Sequence, residues 1–231
     1  MQKIVVLSGA GISAESGIST FRDNNGLWEN HKIEEVATPE AWEMNRELVI
    51  KFYNLRRKQL LEVDPNPAHM ALVKLEEKFD VQIITQNIDN LHERAGSSNI
   101  LHLHGELNKV RSTLDPGLVY TMKDWELKIG DTCEKGSQLR PHIVWFGEEV
   151  PNISIAADMV KKADCLIVVG TSLNVYPAAG LIHEVRQDIP IFLIDPGNVD
   201  SGFLKEVKII QANAGEGLTR LVNELLENNK K

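Results

Sequence analysis

Short apolar runs recur along the chain, and each stops at a small or polar cluster. Lys3–Leu7, Val81–Thr85, Ile100–Leu103, Ile143–Phe146, Cys165–Val169, Ile191–Ile194 and Val207–Ile210 read as buried strands. Helical spacing fills the intervals. Thr38 is placed as an N-cap with Pro39 at the first helical position. That helix is expected to run to about Glu62, because Trp42, Leu48, Val49, Phe52, Leu55 and Leu60 repeat with helical period. Asp64-Pro65-Asn66-Pro67 stops it, and a second amphipathic helix follows to Lys78. A short helix closes at Gly96, and others are expected over Ser154–Lys162, about Pro177–Arg186 and Glu216–Glu227. Strands alternating with helices predict an α/β fold, a mostly parallel sheet covered on both faces. Residues 106–141 break the pattern: STLDPG and KIGDTCEKGS are polar and turn-rich and predict a small extended module. The expected organisation is one domain. Its large lobe takes about 1–23, 80–105 and 143–231; its small lobe takes about 24–79 (helical) and 106–142 (extended).

The first strand runs into Gly9-Ala10-Gly11, and small residues that can open a helix follow. A strand feeding a Gly-rich turn at a helix start suits anionic phosphate. Gly9, Gly11 and Ala14 fit the G-x-G-x-x-G/A spacing of dinucleotide sites, with the last small residue expected at a helix–strand contact. A tight turn in any α/β protein has the same look. A hydride-transfer enzyme would also place an acid roughly 20 residues on, at the end of a second strand. Glu34 and Glu35 lie near that distance, but DNNGLWENHK before them is polar and shows no alternation. Three further clusters end strands: Gln86-Asn87-Ile88-Asp89, His104-Gly105 and Gly170-Thr171-Ser172. Ligands of parallel sheets sit beyond the strand C-termini, so all four clusters are expected on one rim.

Composition narrows the class. The 231 residues are 42% hydrophobic and 25% charged, enough for an ample core. A net charge of −8 and a pI near 5.4 disfavour non-specific nucleic-acid binding. No apolar run approaches the roughly 18 residues that span a bilayer. The first strand at Lys3 leaves no room for a leader, and Cys133 and Cys165 make no disulfide framework. A cytoplasmic setting is expected, with the oligomeric state open and a monomer plausible.

Taken together, the motifs resemble those of the sirtuins. The matching residues are Gly9-Ala10-Gly11-Ile12-Ser13, Ser16-Gly17-Ile18, Thr20-Phe21-Arg22, Thr85 to His92, His104-Gly105, Val144-Trp145-Phe146-Gly147-Glu148 and Gly170-Thr171-Ser172-Leu173, in family order. The resemblance implies a Rossmann-like sheet and an NAD-dependent protein lysine deacylase, which moves an acyl group from lysine to ADP-ribose and releases nicotinamide. It implies that Gly9, Ala10, Gly11, Ile12 and Ala14 line the phosphates, with Thr20, Phe21 and Arg22 in a loop closing over nicotinamide and ribose. Asp89 and the Ile88 backbone would bind the carboxamide, while Asn87 and Gln86 orient ribose and a water. Gly170, Thr171 and Ser172 would reach phosphate or ribose, and Asp195, Pro196 and Ala214 would flank adenine. His104 is the implied general base, and imidazole suits that task at neutral pH. His102 lies two residues back on the same strand face, and spacing alone does not choose between them. Val144, Phe146, Gly147 and Glu148, opposite Asn174 and Val175, correspond to the strands that clamp an acyl-lysine peptide. Without the resemblance, Asn87 and Asp89 would read as helix caps.

Two features set this chain apart. Tyr53 and Arg56 share one helix face, as does the Tyr-x-x-Arg pair of the desuccinylase and demalonylase branch, where it binds the acyl carboxylate. Succinyl or malonyl removal with weaker deacetylation is therefore expected. Most sirtuins also hold the small module on zinc with two C-x-x-C pairs, whereas this chain has Cys133 and no cysteine around Arg111 to Pro116. One thiolate does not build a tetrahedral site, so no zinc is expected. Packing of Leu118, Tyr120, Met122 and Trp125 is the expected replacement. A non-catalytic NAD or ADP-ribose sensor and a mono-ADP-ribosyltransferase are the competing readings.

Overall fold

The computed structural model describes residues 1–18, 31–197 and 207–228. Strand β1 (Lys3–Ser8) runs into the one-turn helix α1 (Gly11–Ala14). Helices α2 (Ile33–Val36), α3 (Pro39–Met44), α4 (Arg46–Leu61) and α5 (Pro67–Leu75) follow, then β2 (Asp80–Thr85), α6 (Leu91–Ala95) and β3 (Ile100–His102). Strands β4 (Gly105–Ser112), β5 (Val119–Thr121) and β6 (Leu139–Ile143) form a separate antiparallel sheet. Helix α7 (Ile153–Lys161), β7 (Cys165–Val169), a 3₁₀ helix (Ala178–Glu184), β8 (Ile191–Ile194), β9 (Val207–Ile210) and α8 (Ala214–Asn228) complete the order.

The large sheet is parallel, in the order β3-β2-β1-β7-β8-β9. Strand β7 is buried at every position, as its unbroken apolar run requires. Alternate side chains of β1 face opposite cores. Ile4 and Val6 pack with α5 and α8, while Val5 and Leu7 pack with α7 and the 3₁₀ helix. A third core joins Trp42, Phe52 and Tyr53 to Leu107, Val110 and Trp145 of the small lobe. Truncating a fully buried leucine such as Leu72 would cost about 2–5 kcal/mol.

Several sequence expectations change. The helix expected from Thr38 to Glu62 is two helices, because the Asn45 side chain accepts the Leu48 N–H at 3.0 Å and caps a new start. Residues 33–36, ahead of the helix start expected at Thr38, form a turn of helix, closed by the Glu35 carboxylate on the Lys32 N–H. The segment from Pro177 is a 3₁₀ helix, with Gly180 N–H donating to the Pro177 carbonyl at 3.0 Å. Strand β6 stops at Ile143, and Glu148 N–H turns back onto the Trp145 carbonyl where a strand to Phe146 was expected. Among the described residues, no helix is long and apolar enough to cross a membrane.

Candidate active site

Register brings the four clusters together. Ser8 pairs with Thr85 on one side and Val169 on the other, and Thr85 pairs with His102. The strand ends therefore share one rim, and the order reverses between β1 and β7, where open α/β sheets bind ligands. At that point Gly9 and Gly11 lie against Gly170 and Thr171. A Cβ on Gly9 would sit 2.7 Å from Thr171 Cβ, and one on Gly11 would sit 2.7 Å from Gly170 Cα. Gly170 has φ +63° and its own Cβ would strike the Ile12 amide. The glycines here are demanded by loop-on-loop contact.

That contact corrects the phosphate argument. The Gly9 and Gly11 N–H groups donate to the Val169 and Gly170 carbonyls at 3.0 and 2.8 Å, so neither remains for an anion. Helix α1 is a single turn, too short for a sizeable dipole. Ala14 is exposed, and Ile12, fully buried, makes the helix–sheet contact expected of Ala14. Thr20, Phe21 and Arg22 lie outside the described residues. Asp195 is buried at the end of β8 and its Oδ1 accepts the Gly197 N–H at 2.8 Å, with Pro196 exposed beside it. The Ala214 side chain packs into the core, leaving only its backbone for a ligand.

The loop after β2 carries a buried polar circuit. Asn87 Nδ2 donates to Ser13 Oγ at 3.0 Å, and Ser13 Oγ–H donates to Asp89 Oδ2 at 3.0 Å. Asp89 Oδ1 accepts the Leu91 N–H at 3.1 Å. Burial raises the Asp89 pKa above the ordinary carboxylate value, against these two hydrogen bonds. Gln86 Nε2 donates to Thr171 Oγ1 at 3.1 Å, linking the loop to the β7 turn, where Ser172 is half-buried. The Ile88 carbonyl accepts from Leu107 N–H at 2.7 Å. Ser13 was quoted within a motif but not weighed as a site residue. Its place at the centre of the circuit depends on β1 and β2 being neighbours, which spacing does not reveal.

The two histidines separate cleanly. His104 Nδ1–H donates to the Gln86 carbonyl at 3.0 Å, which places the lone pair on Nε2. Burial lowers its pKa, so the ring is neutral and basic at pH 7. His102 donates from Nδ1 to the Asn87 carbonyl at 3.0 Å and faces Glu93 Oε1 from Nε2 at 2.7 Å. With both nitrogens engaged, His102 has no lone pair to offer. Among the described residues, His104 alone of the two keeps a nitrogen lone pair without a protein donor or acceptor on it.

Tyr53 and Arg56 are both buried on α4, rather than half-buried and exposed as an ordinary surface helix would have them. Trp145 Nε1–H donates to Tyr53 Oη at 3.0 Å, and burial raises the phenol pKa. The Arg56 charge works against the burial-driven rise in pKa at both Tyr53 and Asp89. Arg57 is different. Its Nε and Nη1 donate to the Leu107 and Trp125 carbonyls and to Asn54 Oδ1, and burial lowers its pKa to about 10.

The expected peptide clamp is partly revised. Val144 N–H donates to the His104 carbonyl at 2.9 Å and Phe146 N–H to the Ala37 carbonyl at 3.0 Å, so these amides are already taken. Glu148 is engaged within the protein. Its carboxylate accepts from Arg140 at 2.7 and 3.1 Å, from Arg111 at 3.2 Å and from the Trp145 N–H at 2.8 Å. Burial raises its pKa, but Arg140 and the Trp145 amide outweigh that and hold it low. Phe146, Gly147 (φ +92°), Asn174 and Val175 are exposed.

In the antiparallel module Ser112 lies in the cysteine-free stretch from Arg111 to Pro116. Its Oγ accepts the Leu114 and Asp115 N–H groups, both at 3.1 Å, and the Cys133 S–H at 3.2 Å. Thr113 bonds Ser137, Tyr120 bonds Glu134, and Lys135 pairs with Asp115 at 2.7 Å. One thiol among hydroxyls does not fit a tetrahedral zinc site. Of the side chains expected to pack here, Tyr120 and Met122 lie against the third core and Leu118 and Trp125 are half-buried, and polar bonds tie the turns beside them.

A profile of the Sir2 family matches residues 9–177. The chain belongs to the sirtuins. An NAD-dependent protein deacylase of Bacteroides thetaiotaomicron is 54% identical to this sirtuin over 231 residues, covering 98% of this chain and 99% of its own. One from Helicobacter pylori is 54% identical over 229 residues, covering 98% and 97%. The crystal structure of a Sir2 homologue with NAD superposes with a TM-score of 0.88 at 40% identity, covering 98% of this sirtuin and 90% of that chain. The rim fits such a ligand: amide, carboxyl, hydroxyl and imidazole groups converge on it, and Asn90 Oδ1 is buried there without a partner among the described residues.

Proposed function

We propose that this sirtuin, an NAD-dependent protein deacylase, removes succinyl and malonyl groups from protein lysine in preference to acetyl. The buried Tyr53–Arg56 pair on α4 carries the reading. A guanidinium held out of water is stabilised by a carboxylate and left poorly solvated by an acetyl group. Trp145 Nε1–H donates to Tyr53 Oη at 3.0 Å and so holds the phenol on the α4 face that also carries Arg56. At roughly 1.5–3 kcal/mol per charged hydrogen bond, two bonds separate the acyl classes by about a hundredfold or more.

NAD, when bound, supplies a ribose carbon activated by its nicotinamide leaving group. Asp89 and the Ile88 backbone hold the carboxamide, and the Ser13 bonds fix Asp89 and Asn87 relative to each other. Gln86, anchored on Thr171, orients the ribose. His104 Nε2 accepts a proton from a ribose hydroxyl, its tautomer set by the Gln86 carbonyl. We further propose a cytoplasmic protein whose module works without zinc. Metal analysis of the purified protein is expected to find much less than one zinc per chain. An acyl-lysine peptide panel incubated with NAD and read by mass spectrometry is expected to favour succinyl and malonyl. Equal turnover of acetyl would reject the preference, and no nicotinamide release from any peptide would favour a non-catalytic NAD sensor.

A further inference from the structure

His102 is half-buried and both of its nitrogens are engaged. Its Nδ1–H reaches the carbonyl of Asn87, whose side chain begins the circuit through Ser13 to Asp89. Its Nε2 meets Glu93 on α6, the helix whose first amide closes on Asp89. The bonds form a closed ring from Glu93 to His102, Asn87, Ser13, Asp89 and back to α6. Asn152 Nδ2 donates to the His102 carbonyl at 2.9 Å and holds the strand from the other side. Glu106 brings a third potential ligand atom within 4.8 Å of those of Glu93 and His102, but it already pairs with Lys109 at 2.7 Å. Two acids facing two cations form a neutral network, which supports a brace rather than a metal centre.

We propose that His102 is a positioning residue for deacylation: its Nδ1–H holds the Asn87 carbonyl and so fixes the Asn87 amide and the Asp89 carboxylate where nicotinamide is handled. The inference rests on the site reading above. Asn and Gln dissect it, because Asn Nδ2 mimics the histidine Nδ1 position and Gln Nε2 mimics Nε2. With acetyl- and succinyl-lysine peptides as substrates, His102→Ala is expected to raise the KM for NAD and the half-inhibitory nicotinamide concentration about tenfold, with a smaller change in kcat. His102→Asn is expected to stay within about threefold of the wild type, and His102→Gln to behave like alanine. A change in nicotinamide sensitivity at unchanged melting temperature is what a merely structural residue does not produce. Wild-type behaviour of His102→Ala would overturn the proposal. So would Asn and Gln variants that behave alike, or a Gln variant better than Asn, which assigns the effect to Glu93. If the alanine variant does not fold, the Asn–Gln comparison still decides. Asn87→Ala is the control: unaffected turnover there rejects the site reading itself, whereas a dead Asn87→Ala beside a silent His102→Ala rejects only this inference.

Discussion

At the rim of the parallel sheet, Ser13, Asn87 and Asp89 are buried, bond one another and still face a ligand edge. In the antiparallel module, Ser112 and Cys133 are also buried and bonded, but their bonds close a turn and point at nothing outside it. The rim is held by sheet register and by glycines pressed against glycines, so its polar groups are positioned before any ligand arrives. The module's turns are tied by hydroxyl and thiol bonds. The candidate catalytic groups all lie in the first region, and none lies in the second.

The sharpest break of that contrast is at His104. His104→Tyr is expected to cut turnover by about 10²–10⁴-fold while leaving the melting temperature close to wild type; retained activity would remove the base assignment. Next is Tyr53→Phe with Arg56→Met, expected to reduce kcat/KM for succinyl-lysine by about a hundredfold and for acetyl-lysine by only a few fold. Equal losses would mean that the pair is structural.

A third test touches the ground beneath the rim. His69 and His92 are buried with rings 5.0 Å apart, and burial lowers their pKa values to about 4 and about 3. Below the ordinary value of 6.5 the unfolded chain takes up protons that the folded chain refuses. Stability is therefore full above about pH 6.5 and falls as the pH drops toward those values. Melting curves at pH 7 and pH 5 check this, and His69→Gln is expected to flatten the decline. The smallest effect is in the module. Ser112→Ala is expected to destabilise by about 1–2 kcal/mol, lowering Tm by a few degrees without loss of turnover, and EDTA is expected to leave Tm unchanged. A large Tm loss in EDTA would place a metal there.

The alternation of strands and helices, the rim motifs and the missing cysteines were legible because each is a local property of the chain: periodicity, turn chemistry and residue identity. The helix break at Asn45 was not, since a side chain that can continue a helix or cap one reads the same until its neighbours pack. The choice between His102 and His104 also needed three dimensions. Both sit at one strand end, and only the carbonyls of Gln86 and Asn87 and the carboxylate of Glu93 distinguish how the two rings are bonded. Glu148 was taken for a substrate group because its motif lies on the clamp, while its carboxylate belongs to Arg111 and Arg140 from the neighbouring strands. Sequence by itself determined the fold class and which residue types meet at the rim, because hydrophobic period and strand-end turns are written along the chain. Tertiary structure alone decided which partner occupies the hydrogen-bonding positions of each polar group, because those partners come from strands and loops far apart along the chain.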